Sequence, residues 1–161
     1  MDKDKLLHIY LADHLAGASV GQELAKRCLA SNEDNALGEH LRQVLAPAIE
    51  RDKRTLESIM DELHAPRRRW KQTAARLAEK GGRLKLNGQL KGYSPLSRLL
   101  EVEGLCLGIE GKLSLWRALQ QVSSSSGRLQ RFDLEALIES AKEQREDMER
   151  HRLAAAEEAL A

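Results

Sequence analysis

Glu103 and Glu110 stand where a helical core would carry leucine. Both belong to the most hydrophobic stretch of the chain, Leu96 to Leu119. An advance of about 100° per residue places them with Leu99, Cys106 and Leu113 in one helical sector. Ser97, Glu101, Gly108 and Lys112 fall in the opposite, solvent-like sector. A carboxylate withdrawn from water is costly unless a cation, a metal or several donors meet it. The same periodicity brings further ionisable groups inward. His14, with Tyr10 beside it, lies between Leu7, Leu11 and Ala18, and Asp52 lies among Leu41, Leu45, Leu56 and Ile59. Arg145 and Arg152 share a face with Leu134, Ile138, Ala141 and Met148, and Arg117 follows Glu110 at seven residues.

Two chemistries compete for these groups. In the favoured one, Glu103 and Glu110 pair with Arg145 and Arg117 in a partly buried ionic network, which fixes helix register more than it adds stability. This reading needs no cofactor. In the alternative, His14, Asp52, Glu103 and Glu110 supply nitrogen and oxygen ligands for iron, manganese or zinc. Helical bundles that hold two metals use Glu-x-x-His pairs, whose members share one face. No Glu-x-x-His occurs, and Asp61-Glu62-Leu63-His64 is the nearest approach, so only a single-metal or degenerate site is open. No Ser-His-Asp or Cys-His spacing and no glycine-rich phosphate loop suggests catalysis. Gly104, Gly108 and Gly111 line one side of their helix, which reads as close approach of another backbone.

The elements that must position these residues are helices. Aromatic residues make up 3% of the 161 residues and there are three prolines, so Leu and Ala must build the core. Apolar periodicity predicts helices over 3–30 and 36–64, the second kinked or restarted at Pro47. A short helix is predicted over 68–80. Ser94-Pro95 starts a helix reaching about Val122, and Asp133 caps a last one. The expected fold is all-α: a four-helix up-and-down bundle in a single domain spanning 1–161, with a short extra helix in a basic crossover (66–94) and a flexible serine-rich connector (123–131).

Net charge is +1, which gives no general affinity for nucleic acid or membrane. Between Pro66 and Gly92, however, nine Lys or Arg stand against Glu79 alone. Arg67, Arg68, Arg69, Lys71, Arg83 and Lys85 belong to this basic surface. It reads first as a solvated face or a partner for the protein's own acidic helices. With aromatics only at its ends, Trp70 and Tyr93, it lacks the usual companions of nucleic-acid recognition. No apolar run is long enough to span a bilayer, and the N-terminal segment is not a signal peptide. Cys28 and Cys106 read as reduced, buried thiols of a cytoplasmic protein.

Three segments, Tyr10-Leu-Ala-Asp-His-Leu-Ala-Gly-Ala18, Gly82-Arg-Leu-Lys-Leu-Asn-Gly88 and Gly92-Tyr-Ser-Pro-Leu-Ser-Arg-Leu-Leu-Glu-Val-Glu-Gly104, resemble bacterial helical proteins of ferritin-like type without an assigned activity. The resemblance covers nearly the whole chain and implies a ferritin-like bundle. It carries over no catalytic residue, because the ferritin ligand pattern is missing. The expected function is therefore that of a non-enzymatic scaffold or regulatory protein acting on a protein partner or another copy of itself. A degenerate metal-binding protein and an anion-binding accessory protein are the alternatives.

Overall fold

The structure is a computed structural model that describes residues 2–66, 92–124 and 127–161. Helix α1 spans Lys3–Ala30, α2 spans Ala36–His40, α3 spans Ala46–Glu62, α4 spans Pro95–Ser123 and α5 spans Leu134–Leu160. Among the described residues there is no strand. The short helix predicted over 68–80 and the basic residues Arg67, Arg68, Arg69, Lys71, Arg83 and Lys85 lie outside the described residues.

Each helix except α3 starts where a short polar side chain can satisfy a free backbone N–H. Asp2 accepts from the Asp4 amide, Asn35 from Gly38, Ser94 from Ser97 and Asp133 from Ala136. Pro47 has no N–H to return to Gln43, so the ladder widens before it. Leu41–Leu45 forms a π-turn, and α3 restarts with Pro47 in its first turn. At the far end of α3, His64 takes a left-handed conformation (φ 55°) and the Ala65 amide reaches back to the Met60 carbonyl at 2.8 Å. That closes the helix before Pro66. The span expected to be a flexible connector is partly ordered: Leu129–Arg131 is a 3-10 turn, and Leu129 is fully buried in the core.

Cross-helix contacts give the directions. Gln22 meets Lys53 and His8 meets the Leu63 carbonyl, so α1 and α3 are antiparallel. Arg27 meets Glu101 at 2.6 Å, so α4 also runs against α1 and hence parallel to α3. Glu110 meets Arg145 and Glu103 meets Arg152, so α5 runs against α4. Pro66 and Gly92 therefore sit at opposite ends of the helix array.

Burial divides into two apolar clusters. One gathers Leu11, Leu15, Leu56, Ile59, Met60, Leu113, Trp116, Leu119 and Ile138. The other gathers Ala25, Cys28, Leu37, Leu41, Leu45, Val102, Leu105, Ile109 and Met148. Each fully buried leucine contributes about 1.5–3 kcal/mol.

The second cluster ends in a polar clasp. Buried Asn32 donates to the Cys28 carbonyl and the Tyr93 hydroxyl and accepts from Arg98. Tyr93 in turn donates to Glu101. Burial pushes the Cys28 thiol up to about 12, which leaves it inert. In the turn after α1, a Cβ on Gly38 would collide with the Asn32 carbonyl. Gly38→Ala should therefore shift that turn and break the clasp, with a clear drop in melting temperature and no change in helical sign of the circular-dichroism spectrum.

His40 and His151 join α2 to α5, their ring centroids 4.8 Å apart. Burial holds both imidazoles below their usual range; Arg150 adds to this and Asp147 opposes it, and for His151 the neighbouring His40 lowers it further. Above pH about 6.5 both folded and unfolded chains carry neutral rings, and the stabilisation is complete. As pH falls the unfolded chain takes up protons first, so stability is lost down through the lowered folded values. Melting curves should thus shift downward from pH 7 to pH 5, and the double change His40→Gln with His151→Gln should make that dependence shallower.

Candidate functional site: a glycine-lined cleft beside a buried ion pair

Helix α1 presents Tyr10, His14, Gly17 and Gly21 along one face, at three- and four-residue spacing. Helix α3 faces them with Ile49, Asp52 and Leu56. Helix α4 completes the enclosure with Leu105, Gly108, Ile109, Gly111, Lys112, Leu115 and Trp116. Together they surround a cleft of about 300 Å³. Its walls are chiefly apolar with a few polar side chains among them, the usual make-up of a small-molecule site.

The charged centre of this region is the Lys112 ammonium. It donates to Asp52 Oδ2 on α3 and to Gln144 Oε1 on α5, and Gln144 Nε2 donates on to Ser140 Oγ at 3.0 Å. Only 14% of the Lys112 side chain and 12% of that of Asp52 are exposed, so each charge depends on the other. Burial lowers the Lys112 pKa, and the adjoining Asp52 carboxylate pulls it back up. His14 packs edge-on against Tyr10, with ring centroids 4.5 Å apart. Burial lowers its pKa, opposed by nearby Asp13, so at neutral pH the imidazole is uncharged. Trp116 is 1% exposed, and its indole N–H has no hydrogen-bond partner among the described residues.

The glycines explain the open volume. A Cβ added to Gly17, Gly21, Gly108 or Gly111 would meet nothing within 4 Å among the described residues. The close backbone approach expected of the α4 glycines is therefore corrected at Gly108 and Gly111. At Gly104 a neighbour does come close, but it is a side chain and not backbone: a Cβ there would lie 2.9 Å from Leu24 Cδ2.

The structure also rearranges the polar residues singled out by spacing. His14 and Asp52 share the cleft. Glu103 and Glu110 do not join them. They sit at the α4–α5 margin, Glu110 3.3 Å from Arg145 and Glu103 3.7 Å from Arg152. About half of the Glu110 and Arg145 side chains is exposed, and 41% of that of Glu103, so these carboxylates are half-buried at this margin and do not take the core positions that spacing gave them. The reason is the orientation of α4. Its buried stripe is Val102, Leu105, Ile109, Leu113 and Trp116, which puts Glu103 and Glu110 on the flank and brings Lys112 inward. Arg117, the other cation proposed for that network, is exposed and makes no ion pair with the described residues. Arg152 grips Glu149 with two nitrogens, each at 2.7 Å, and the contact raises the guanidinium pKa. The four proposed metal ligands are thus split between two sides of α4. Among the described residues no three His, Cys, Asp or Glu side chains are placed to hold one ion.

Lys112 and Gln144 are the residues that spacing missed. The signal was present at Asp52, which sits at the centre of its apolar face and requires a cation. Lys112 follows Ile109 by three and precedes Trp116 by four. Lys112→Met alone should strand the Asp52 carboxylate and destabilise the protein by about 3–5 kcal/mol. Lys112→Met combined with Asp52→Leu should recover most of that loss in a denaturant titration. The exposed Arg145 offers the contrast: Arg145→Met should cost no more than about 1 kcal/mol.

No family model, curated protein or solved structure matches this chain, and what it does must be argued from the cleft itself.

Proposed function

We propose that this chain is a ferritin-like helical bundle that works by binding rather than by catalysis, and that its cleft between α1, α3 and α4 receives a small, largely apolar molecule. The ferritin-like arrangement is supported by the parallel course of α3 and α4, which requires one long connection between opposite ends of the bundle. Binding rather than catalysis is supported by the charges beside the cleft, since Lys112 is already engaged by Asp52 and Gln144. A scaffold or regulatory role toward a protein partner fits the same reading, with the ligand setting the state of the bundle.

One observation carries the proposal. Four glycines in the interiors of two long helices border open space, and no contact with the described residues accounts for them. Glycine in a helix interior costs about 0.5–1 kcal/mol relative to alanine. A stable bundle without a ligand has no use for that expense, whereas an occupant needs the room. Gly17→Ala and Gly108→Ala should each therefore raise stability by about 0.5–1 kcal/mol. Toluene, as a bare apolar probe, should bind saturably and raise the melting temperature of the unaltered protein. Gly108→Phe should fill the cleft and abolish that response. Destabilisation by both alanine changes, or toluene binding that survives Gly108→Phe, would refute the proposal.

A further inference from the structure

The polar groups at the cleft restrict what kind of apolar molecule it can take. Asp52 and Lys112 cancel each other in charge, and both are shielded from water. An anionic ligand would bring a second carboxylate up to one ammonium. It would have to compete with Asp52 or leave a negative charge unbalanced in a poorly solvated place. A cationic ligand would meet Lys112 as a like charge, with Asp52 already occupied. His14 offers no counter-charge to either, since its ring is uncharged at neutral pH. Asp13 and Lys53, which also line the cleft, carry opposite charges, so the lining does not select one sign.

Hydrogen bonding adds a positive requirement. The Trp116 ring lines the cleft, but its indole N–H, unpartnered among the described residues, is closed off from the cleft and serves no ligand. Lys112, which also lines the cleft, has three N–H groups, of which Asp52 and Gln144 engage two among the described residues. An oxygen acceptor on a ligand would find the third, whereas a purely hydrocarbon ligand would leave it unmet. The volume of about 300 Å³ suits a body of one or a few fused rings.

Resting on the cleft reading above, we infer that the natural ligand is an uncharged, compact apolar molecule bearing a hydrogen-bond acceptor such as a carbonyl, seated between α1, α3 and α4 against Trp116 and Lys112. Free carboxylates and amines of the same shape are discriminated against by the Asp52–Lys112 pair.

The test uses the full chain and four probes: 2-adamantanone, 1-adamantanecarboxylate, 1-adamantanamine and toluene, each titrated by calorimetry with melting curves in parallel. The ketone should bind at least tenfold more tightly than the carboxylate or the amine, and more tightly than toluene. Lys112→Met combined with Asp52→Leu, which removes that donor together with its counter-charge, should narrow the ketone's advantage over toluene several-fold. Its melting curve reports separately whether the fold survives. If the carboxylate or the amine matches the ketone, or if the ketone binds no better than toluene, the ligand class is wrong while the cleft reading stands. If none of the four binds saturably, or if binding is indifferent to Gly108→Phe, the cleft reading falls and takes the ligand class with it.

Discussion

The Lys112 ammonium is the point on which the arrangement of helices depends. It reaches from α4 to Asp52 on α3 and to Gln144 on α5, and so ties three helices in one layer. Leucine and alanine contacts are permissive: several rotations and shifts of the helices would bury similar apolar area. A charged pair is not. A helix slipped by one turn would leave a carboxylate or an ammonium unmet in the interior, which costs far more than a misplaced methyl group. The pair therefore selects one register among several that apolar packing alone would accept. It also marks the seam between two apolar clusters, one around Trp116 and Leu56, the other around Leu41 and Ile109.

The cleft opens beside this seam. Leucine elsewhere on α1 and α4 fills the space between helices, whereas at Gly17, Gly21, Gly108 and Gly111 the side chain is missing and nothing has moved in. Two other helical glycines differ from these four. Gly38 is required by the Asn32 carbonyl and Gly104 by the Leu24 side chain, both contacts internal to the fold. A cleft kept open in this way weakens the middle of the bundle, and the ion pair beside it compensates by holding the helices on either side in register.

The two ends are secured by different means. At one, Asn32, Tyr93, Arg98 and Glu101 form a hydrogen-bonded clasp between the turn after α1 and the start of α4. At the other, His8 meets the Leu63 carbonyl and Arg131 meets Glu62. Between the fastened ends lie the glycines of α1 and α4 and the Lys112–Asp52 pair. The π-turn before Pro47 keeps α2 and α3 in one run, along which Leu37, Leu41, Leu45, Leu56 and Leu63 are buried. No described helix is long and apolar enough to cross a membrane.

Helix identity and most helix boundaries were set by local sequence. Leu and Ala at three- and four-residue spacing, the caps at Ser94 and Asp133, and Pro47 all act within one or two turns, so α1 was legible to the residue and the interruption of α2–α3 was legible near its position. Asp52 was legible as an inward carboxylate for the same reason, because its helix has a single apolar face with the residue at its centre. Helix α4 was not, since its charges fall on two opposite sides, Glu103, Glu110 and Arg117 on one and Arg98, Glu101 and Lys112 on the other, and its periodicity does not fix which side faces the core. Only packing against α1, α3 and α5 decides that rotation. It moved Glu103 and Glu110 to a half-exposed margin and brought Lys112 inside. The glycines were visible as a stripe, but whether a stripe means contact or empty space depends on how far away the neighbouring helix stands. That distance is set by side chains remote in sequence, and only the tertiary structure could supply it.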